Sequence, residues 1–184
     1  NNAGVETVYA YSDTLWNGNA GLVHELSDIG NVYFSYATAS DINGGESDVG
    51  GSCGYGGLCG TAEQVMLSQP ESVENIEIGT KWNLFEQRLL LNAAAFQITK
   101  DAVMESVGNA YDTLGTLNTG KNRVRGVEFA AVGDFTDRFS GQFAASIMDA
   151  EVLEAFNASQ IGKTLSNFAD RSAHVQLRYQ LTPK

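Results

Sequence analysis

Between Arg123 and Glu151 the chain reads RVRGVEFAAVGDFTDRFSGQFAASIMDAE, and its side chains change character at every second position. Phe139, Gly141, Phe143, Ala145 and Ile147 fall on one side of a strand, and Ser140, Gln142, Ala144 and Ser146 on the other. Val127, Phe129 and Ala131 against Gly126, Glu128 and Ala130 repeat the pattern, and Gly133 to Asp137 reads as the turn between the halves. A period of two makes a sheet with one apolar and one polar face. Two strands of about ten residues, joined tightly at one end and flanked by long polar segments at the other, describe a membrane-spanning barrel hairpin. Its outward side meets lipid and its inward side meets water.

The other periodic stretches fit the same plan. Asn19–Leu26 and Val32–Ser40 read as a hairpin around Ser27–Asn31, with Val32, Phe34 and Tyr36 opposite in face to Tyr33 and Ser35. In Asn75–Leu84, Ile76, Ile78, Thr80 and Trp82 alternate with Glu77, Gly79 and Lys81; in Ala173–Leu181, Ala173, Val175, Leu177, Tyr179 and Leu181 alternate with His174, Gln176, Arg178 and Gln180. Leu89–Thr99 is less clear, because its leucines and alanines fit a helix locally, and the neighbouring strands together with the spacing of Asn92, Phe96 and Ile98 favour a strand. Residues 5–11 read as the tail of a further strand, residues 13–19 as a loop carrying Trp16, Lys100–Asn122 as a long segment with room for a small hairpin, and Val152–Phe156 as one helical turn. Short links follow residues 26, 84 and 133; long ones follow 40, 99 and 151. Barrels that insert from one side of a membrane show this asymmetry, and soluble sandwiches do not require it.

Composition agrees. Only 18% of the 184 residues are charged, against the roughly 25% usual in soluble domains, so a large apolar surface must be met by a second sheet or by lipid. No run approaches the ~20 consecutive apolar residues of a membrane helix. The formal net charge of -11 repels nucleic acid phosphates, and the excess acid sits mostly in the segments read as loops. Cys53 and Cys59 enclose a glycine-rich pentapeptide; the even count and close spacing favour a disulfide made in an oxidising compartment over free thiols, and metal binding is the weaker alternative because no histidine lies near.

Catalytic chemistry finds little to hold. His24 and His174 lack acidic residues at triad or metal-ligand spacing, and the 8 glycines between Gly44 and Gly60 lack the lysine and helix of a phosphate cradle. No catalytic residue, metal site or cofactor is therefore assigned. The informative charges are those on polar strand faces. Glu77, Lys81, Glu128 and Arg178, with Gln142, His174 and Gln176, read as lumen-facing; a dry core would charge several kcal/mol for each ion, and a watery or plugged lumen removes that penalty. They pair with one another or with a plug on the simplest reading. Lys121, Arg123 and Arg125 form the basic cluster at the loop end of their strand; the chemistry suits an anionic ligand, the phosphates of surface lipid, or plain salt bridges to Asp and Glu.

At PESVENIEIGTKW (Pro70–Trp82), RLLLNAAAFQIT (Arg88–Thr99), NTGKNRVRGVEF (Asn118–Phe129) and GKTLSNFADRSAHVQLRYQLTP (Gly162–Pro183) the sequence resembles the TonB-dependent outer-membrane receptors of Gram-negative bacteria, most of all those for catecholate siderophores. The Glu-x-x-x-x-x-Glu-x-Gly-x-Lys run, the Arg-x-Arg-Gly-Val-Glu run and the Gly-x-x-Leu-x-Asn run occur in the family's order and spacing, and the likeness covers about residues 17–184. It departs at Asn167–Phe168–Ala169, where the family usually has proline two residues after the asparagine. The resemblance implies an all-β, antiparallel barrel of about 22 strands around an N-terminal plug. Ferric siderophore is the implied transported ligand, the TonB complex the energy source through the plug, and outer-membrane lipid and lipopolysaccharide the surroundings. Residues 1–184 are then a partial barrel domain of about seven or eight strands from its second half, lacking plug and remaining strands. The start at Asn1–Asn2–Ala3 and the stop at Lys184 read as cuts. Cysteine pairs occur in external loops of the catecholate branch, which supports a bond between Cys53 and Cys59, and the resemblance makes Arg123 and Arg125 candidates for attracting an anionic ferric catecholate. The alternatives are a soluble or surface-displayed adhesive β-domain and a passive porin-like channel.

Overall fold

The computed structural model describes residues 12–41, 69–106, 116–165 and 168–182. These form one antiparallel sheet of seven strands in chain order: β1 Gly18–Ser27, β2 Gly30–Asp41, β3 Glu71–Leu84, β4 Leu89–Ser106, β5 Thr116–Thr136, β6 Phe139–Glu154 and β7 Arg171–Tyr179. Every link joins neighbours, so no strand crosses over another. Residues 28–29, 85–88 and 137–138 make the short turns, all at one end of the sheet, and the long links lie at the other. The run at Leu89 is a strand, and its blurred alternation has a simple cause. Leu91, Ala93 and Ala95 share a face with Trp82 and Val127, while Leu90, Phe96 and Ile98 put apolar groups on the opposite face as well.

Strand lengths differ from the sequence reading at five places, the first being β3, which pairs with β2 from Glu71 and not only from Asn75. The turn expected from Gly133 begins at Asp137, because Gly133 pairs with Gly141 inside the ladder. Its missing Cβ leaves room for the Arg88 carbonyl, which accepts a 2.8 Å bond from the Asp134 amide. The glycine marks a close approach of β4 and does not make a turn. The long segment expected from Lys100 is shorter, since β4 and β5 continue their pairing to Ser106 and Thr116 through bulges at Lys100–Met104, where Ala102 has φ 54°. Val152–Phe156 is not helical. Residues 152–154 finish β6, the Val152 amide donating to the Lys163 carbonyl at 2.9 Å, and the helical turn lies at Ala158–Gln160, where Asn157 Oδ1 accepts from the Ser159 amide. β7 runs from Arg171 to Tyr179, two residues earlier than its alternation suggests, because its partner β6 begins at Phe139 opposite Tyr179. Residues 5–11, the loop with Cys53 and Cys59, and the turn signals at Gly108–Asn109 and Gly115 lie outside the described residues.

The two faces of the sheet differ chemically. Partners across an antiparallel ladder point to the same side, so the register assembles rows that run across the strands. One face carries Leu22, Phe34, Ile78, Ala95, Val127 and Ile147 in one row, and Trp82, Leu91, Ala131, Phe143 and Val175 in another. Among the described residues nothing covers it: Ile78 is 61% exposed and Leu177 62%, and the only buried apolar side chains are those of Ala94 and Ala150. Such a face has no protein core behind it. Exposed apolar surface of this extent suits an apolar medium.

Candidate functional site

On the opposite face the rows are polar. Tyr33 lies across Gly79, so closely that a Cβ there would stand 2.5 Å from the phenol oxygen. That placement brings the hydroxyl to Glu77, to which it donates at 2.6 Å, and sets the ring 5.1 Å beneath the Lys81 ammonium. Glu128 stands in the same row, opposite Ala94 and Ser146. No ion pair joins Glu77, Lys81 and Glu128 among the described residues; the simplest expectation for these groups, mutual pairing, is met only through Tyr33. Further along, Gln142 Nε2 donates to Gln176 Oε1 at 2.8 Å and lies 3.3 Å from His174 Nε2, and the Ser146 and Ser172 hydroxyls meet at 2.7 Å. Arg178 stands opposite Ser140 near the short turns. The residues read as lumen-facing thus share one face. Two acceptors there, Asn75 Oδ1 and Asn92 Oδ1, are buried without a partner. Such groups want a donor from outside the sheet.

Lys121, Arg123 and Arg125 sit on the other side, in line with Val127 and Phe129 and nearer the long links. Each meets a carboxylate. Arg123 bonds Glu151, Arg125 holds Asp149 Oδ2 through Nε at 3.1 Å and a terminal nitrogen at 3.0 Å, and Lys121 bonds Asp101 at 3.0 Å. The pairing holds the Asp101 carboxyl below the usual carboxylate range, first through the Lys121 bond and then through the Ala102 amide, and it lifts Lys121 above the ordinary lysine value. On the polar face Lys100 pairs with Glu71. Of the three readings left open for the basic cluster, salt bridging is observed.

Sequence reasoning missed Tyr33, Asn75 and Asn92 and the acidic partners of the cluster. Tyr33 had a signal in Gly79, a glycine inside an otherwise clean strand. The partners had none, because which carboxylate faces Arg125 depends on register. Among the described residues no three His, Cys, Asp or Glu side chains gather closely enough to hold a metal ion.

Comparison with known proteins bears on this two-faced sheet. Residues 1–183 match the family model described as TonB dependent receptor-like, beta-barrel. The chain is 31% identical over 176 residues to a probable TonB-dependent receptor, BfrD, of Bordetella pertussis, covering 95% of the chain and 22% of the relative. It is 33% identical over 128 residues to the catecholate siderophore receptor Fiu of Escherichia coli K12, covering 69% of the chain and 16% of Fiu. The crystal structure of Fiu in its closed form superposes with a TM-score of 0.70 at 26% identity, over 91% of this chain and 23% of that one. The siderophore receptor PiuA of Acinetobacter baumannii shares the fold, with a TM-score of 0.65 at 22% identity over 91% of this chain and 24% of that one. The chain therefore spans about a fifth of the length of the curated relatives it matches.

Proposed function

The chain belongs to the TonB-dependent receptor β-barrel family, whose barrels lie in the outer membrane, and from that premise we propose that it forms part of the wall of a receptor importing a ferric siderophore. The proposed cargo is of the catecholate type and the proposed energy source is the TonB complex. One observation carries the reading: seven neighbouring strands keep an apolar face and a polar face in register, with short and long links segregated to opposite ends. The apolar face suits lipid. The polar face, with Glu77, Glu128 and two unpartnered asparagine oxygens, suits a hydrated lumen occupied by a plug that brings donors of its own. The outward placement of Arg123 and Arg125 favours a role at the membrane surface over contact with cargo in the lumen.

The test is uptake of radiolabelled iron by cells that express the complete polypeptide as their sole siderophore receptor. Ferric catecholate should accumulate in cells with TonB and fail to do so without it. Equal accumulation of ferric hydroxamate would overturn the cargo class. Persistence without TonB would indicate a passive channel.

A further inference from the structure

Toward the long links, Lys100, Lys121, Arg123 and Arg125 are each joined to a carboxylate. The short-turn end of the polar face is different. Two adjoining hollows of about 470 and 370 Å³ open there, both lined by Arg88, Asp134, Ser140 and Arg178, and Arg138 completes the second. The register explains the gathering, because Ser140 stands opposite Asp134 on one side and Arg178 on the other. Backbone bonds of 2.8 Å, from the Asp134 amide to the Arg88 carbonyl and from the Gln180 amide to the Arg138 carbonyl, fix the other two arginines at the same level. Arg138 and Arg178 make no ion pair among the described residues, and Arg88 reaches Asp137 at 3.5 Å, whose side chain is 97% exposed. Asp134 and Asp137 share the second hollow, so three guanidinium groups face two carboxylates there. One positive charge is left over, in a chain whose net charge is -11.

We propose that these hollows are an exit station, where Arg138 and Arg178 briefly hold the anionic ferric chelate on its way out of the lumen. The inference rests on the receptor reading, in which the short turns face the periplasm. Iron(III) wrapped in catecholates is a multiply charged anion, and guanidinium groups bind the oxygens of such anions in a fork. An uncharged chelate gains little from the same groups. A site on an exit path must attract without trapping. Asp134 and Asp137 weaken the field of the arginines, and Arg138 and Arg178 are both exposed to water, so the hold is short. One row further in, Gln142 and Gln176 line the larger hollow with amide groups bonded to each other, a polar approach from the lumen.

Cells that express the complete polypeptide as their sole siderophore receptor are given radiolabelled ferric catecholate, and surface binding in energy-depleted cells is compared with uptake in energised ones. The Arg138→Gln, Arg178→Gln double variant should bind as the wild type does and import about tenfold more slowly, the scale of one lost charge-assisted bond. Arg171→Gln, which removes an exposed cation on the apolar side of the sheet, should change neither. Vancomycin, which the intact outer membrane excludes, reports whether the plug still seals the barrel, and sensitivity to it should stay at the wild-type level. Wild-type uptake by the double variant overturns the proposal, as does an equal loss in Arg171→Gln or a loss of surface binding along with uptake. Slow uptake with new vancomycin sensitivity overturns it too, and assigns the arginines to a carboxylate of the plug. A wild type that imports no ferric catecholate sinks the receptor reading and the exit station together, whereas import by the wild type with an unimpaired double variant sinks the station alone.

Discussion

At the scale of single residues, the polar wall is organised by a glycine. Gly79 leaves the space that Tyr33 fills, and the filled space delivers a hydroxyl to Glu77. Gly79→Ala should therefore push the ring aside, break the 2.6 Å bond and destabilise the barrel by about 1–3 kcal/mol, as overpacking does elsewhere. Tyr33→Phe, which keeps the ring, should lose about 1 kcal/mol. Urea unfolding of the complete polypeptide in lipid vesicles separates the two. The Lys121–Asp101 pair makes a prediction in pH. Asp101 titrates below its ordinary value in the folded state, so its contribution is fully present above that value and is lost as pH falls through the depressed one. Lys121 titrates above its ordinary value, so its contribution is fully present below that value and is lost only as pH rises through the raised one. The upper ends of β4 and β5 should then stay ordered across the neutral range and loosen in strong acid. Amide exchange at Val103 and Gly120, corrected for the intrinsic pH dependence and compared with Asp101→Asn, measures it.

At the scale of elements, the turns show where the chain tolerates strain. The β3–β4 link closes with a bond from the Arg88 amide to the Phe85 carbonyl, and Glu86 and Gln87 at its centre have φ of 56° and 67°. That geometry belongs to a turn whose central positions favour Asn and Gly. Each ordinary side chain there costs about 1–2 kcal/mol. Gln87→Gly relieves part of that and gives back some chain entropy, leaving a stabilisation of roughly 1 kcal/mol that urea unfolding would register. The β5–β6 turn is handled differently. Thr136 Oγ1 accepts from the amides of Arg138 and Phe139 at 3.3 and 3.0 Å, so two backbone donors are satisfied without unusual φ. Strand length has its own meaning. A span of the bilayer takes about 9–11 tilted residues, and β4 and β5 have 18 and 21, so their upper halves stand clear of the hydrocarbon. The ion pairs of Lys121, Arg123 and Arg125 lie in that upper half, where charge on the outward side meets headgroups and water.

At the scale of the whole molecule, one sheet presents two chemistries, and its large apolar side chains lie on the surface. Substituting Phe143 or Val175 with Arg should block insertion or weaken it by about 2–4 kcal/mol near the bilayer midplane, whereas an Arg at Gln142 or His174, one residue away on the polar face, should be tolerated. Heat-modifiable migration of the reconstituted protein reads the difference. That the chain is made of strands, that Phe143 and Val175 share the apolar face and Gln142 and His174 the polar one, and that short and long links alternate were all legible in the sequence. A side chain's face is set by its parity along its own strand, which is local information. Where strands stop was less legible: Gly133 reads as punctuation until β4 is laid beside it, and Lys100 reads as loop until Thr116–Lys121 is there to pair. What meets what was not legible at all. Tyr33 on Glu77, Arg125 on Asp149 and the hollow shared by Arg88 and Arg178 exist only once neighbouring ladders are aligned, because register is a joint property of two strands and no single strand carries it.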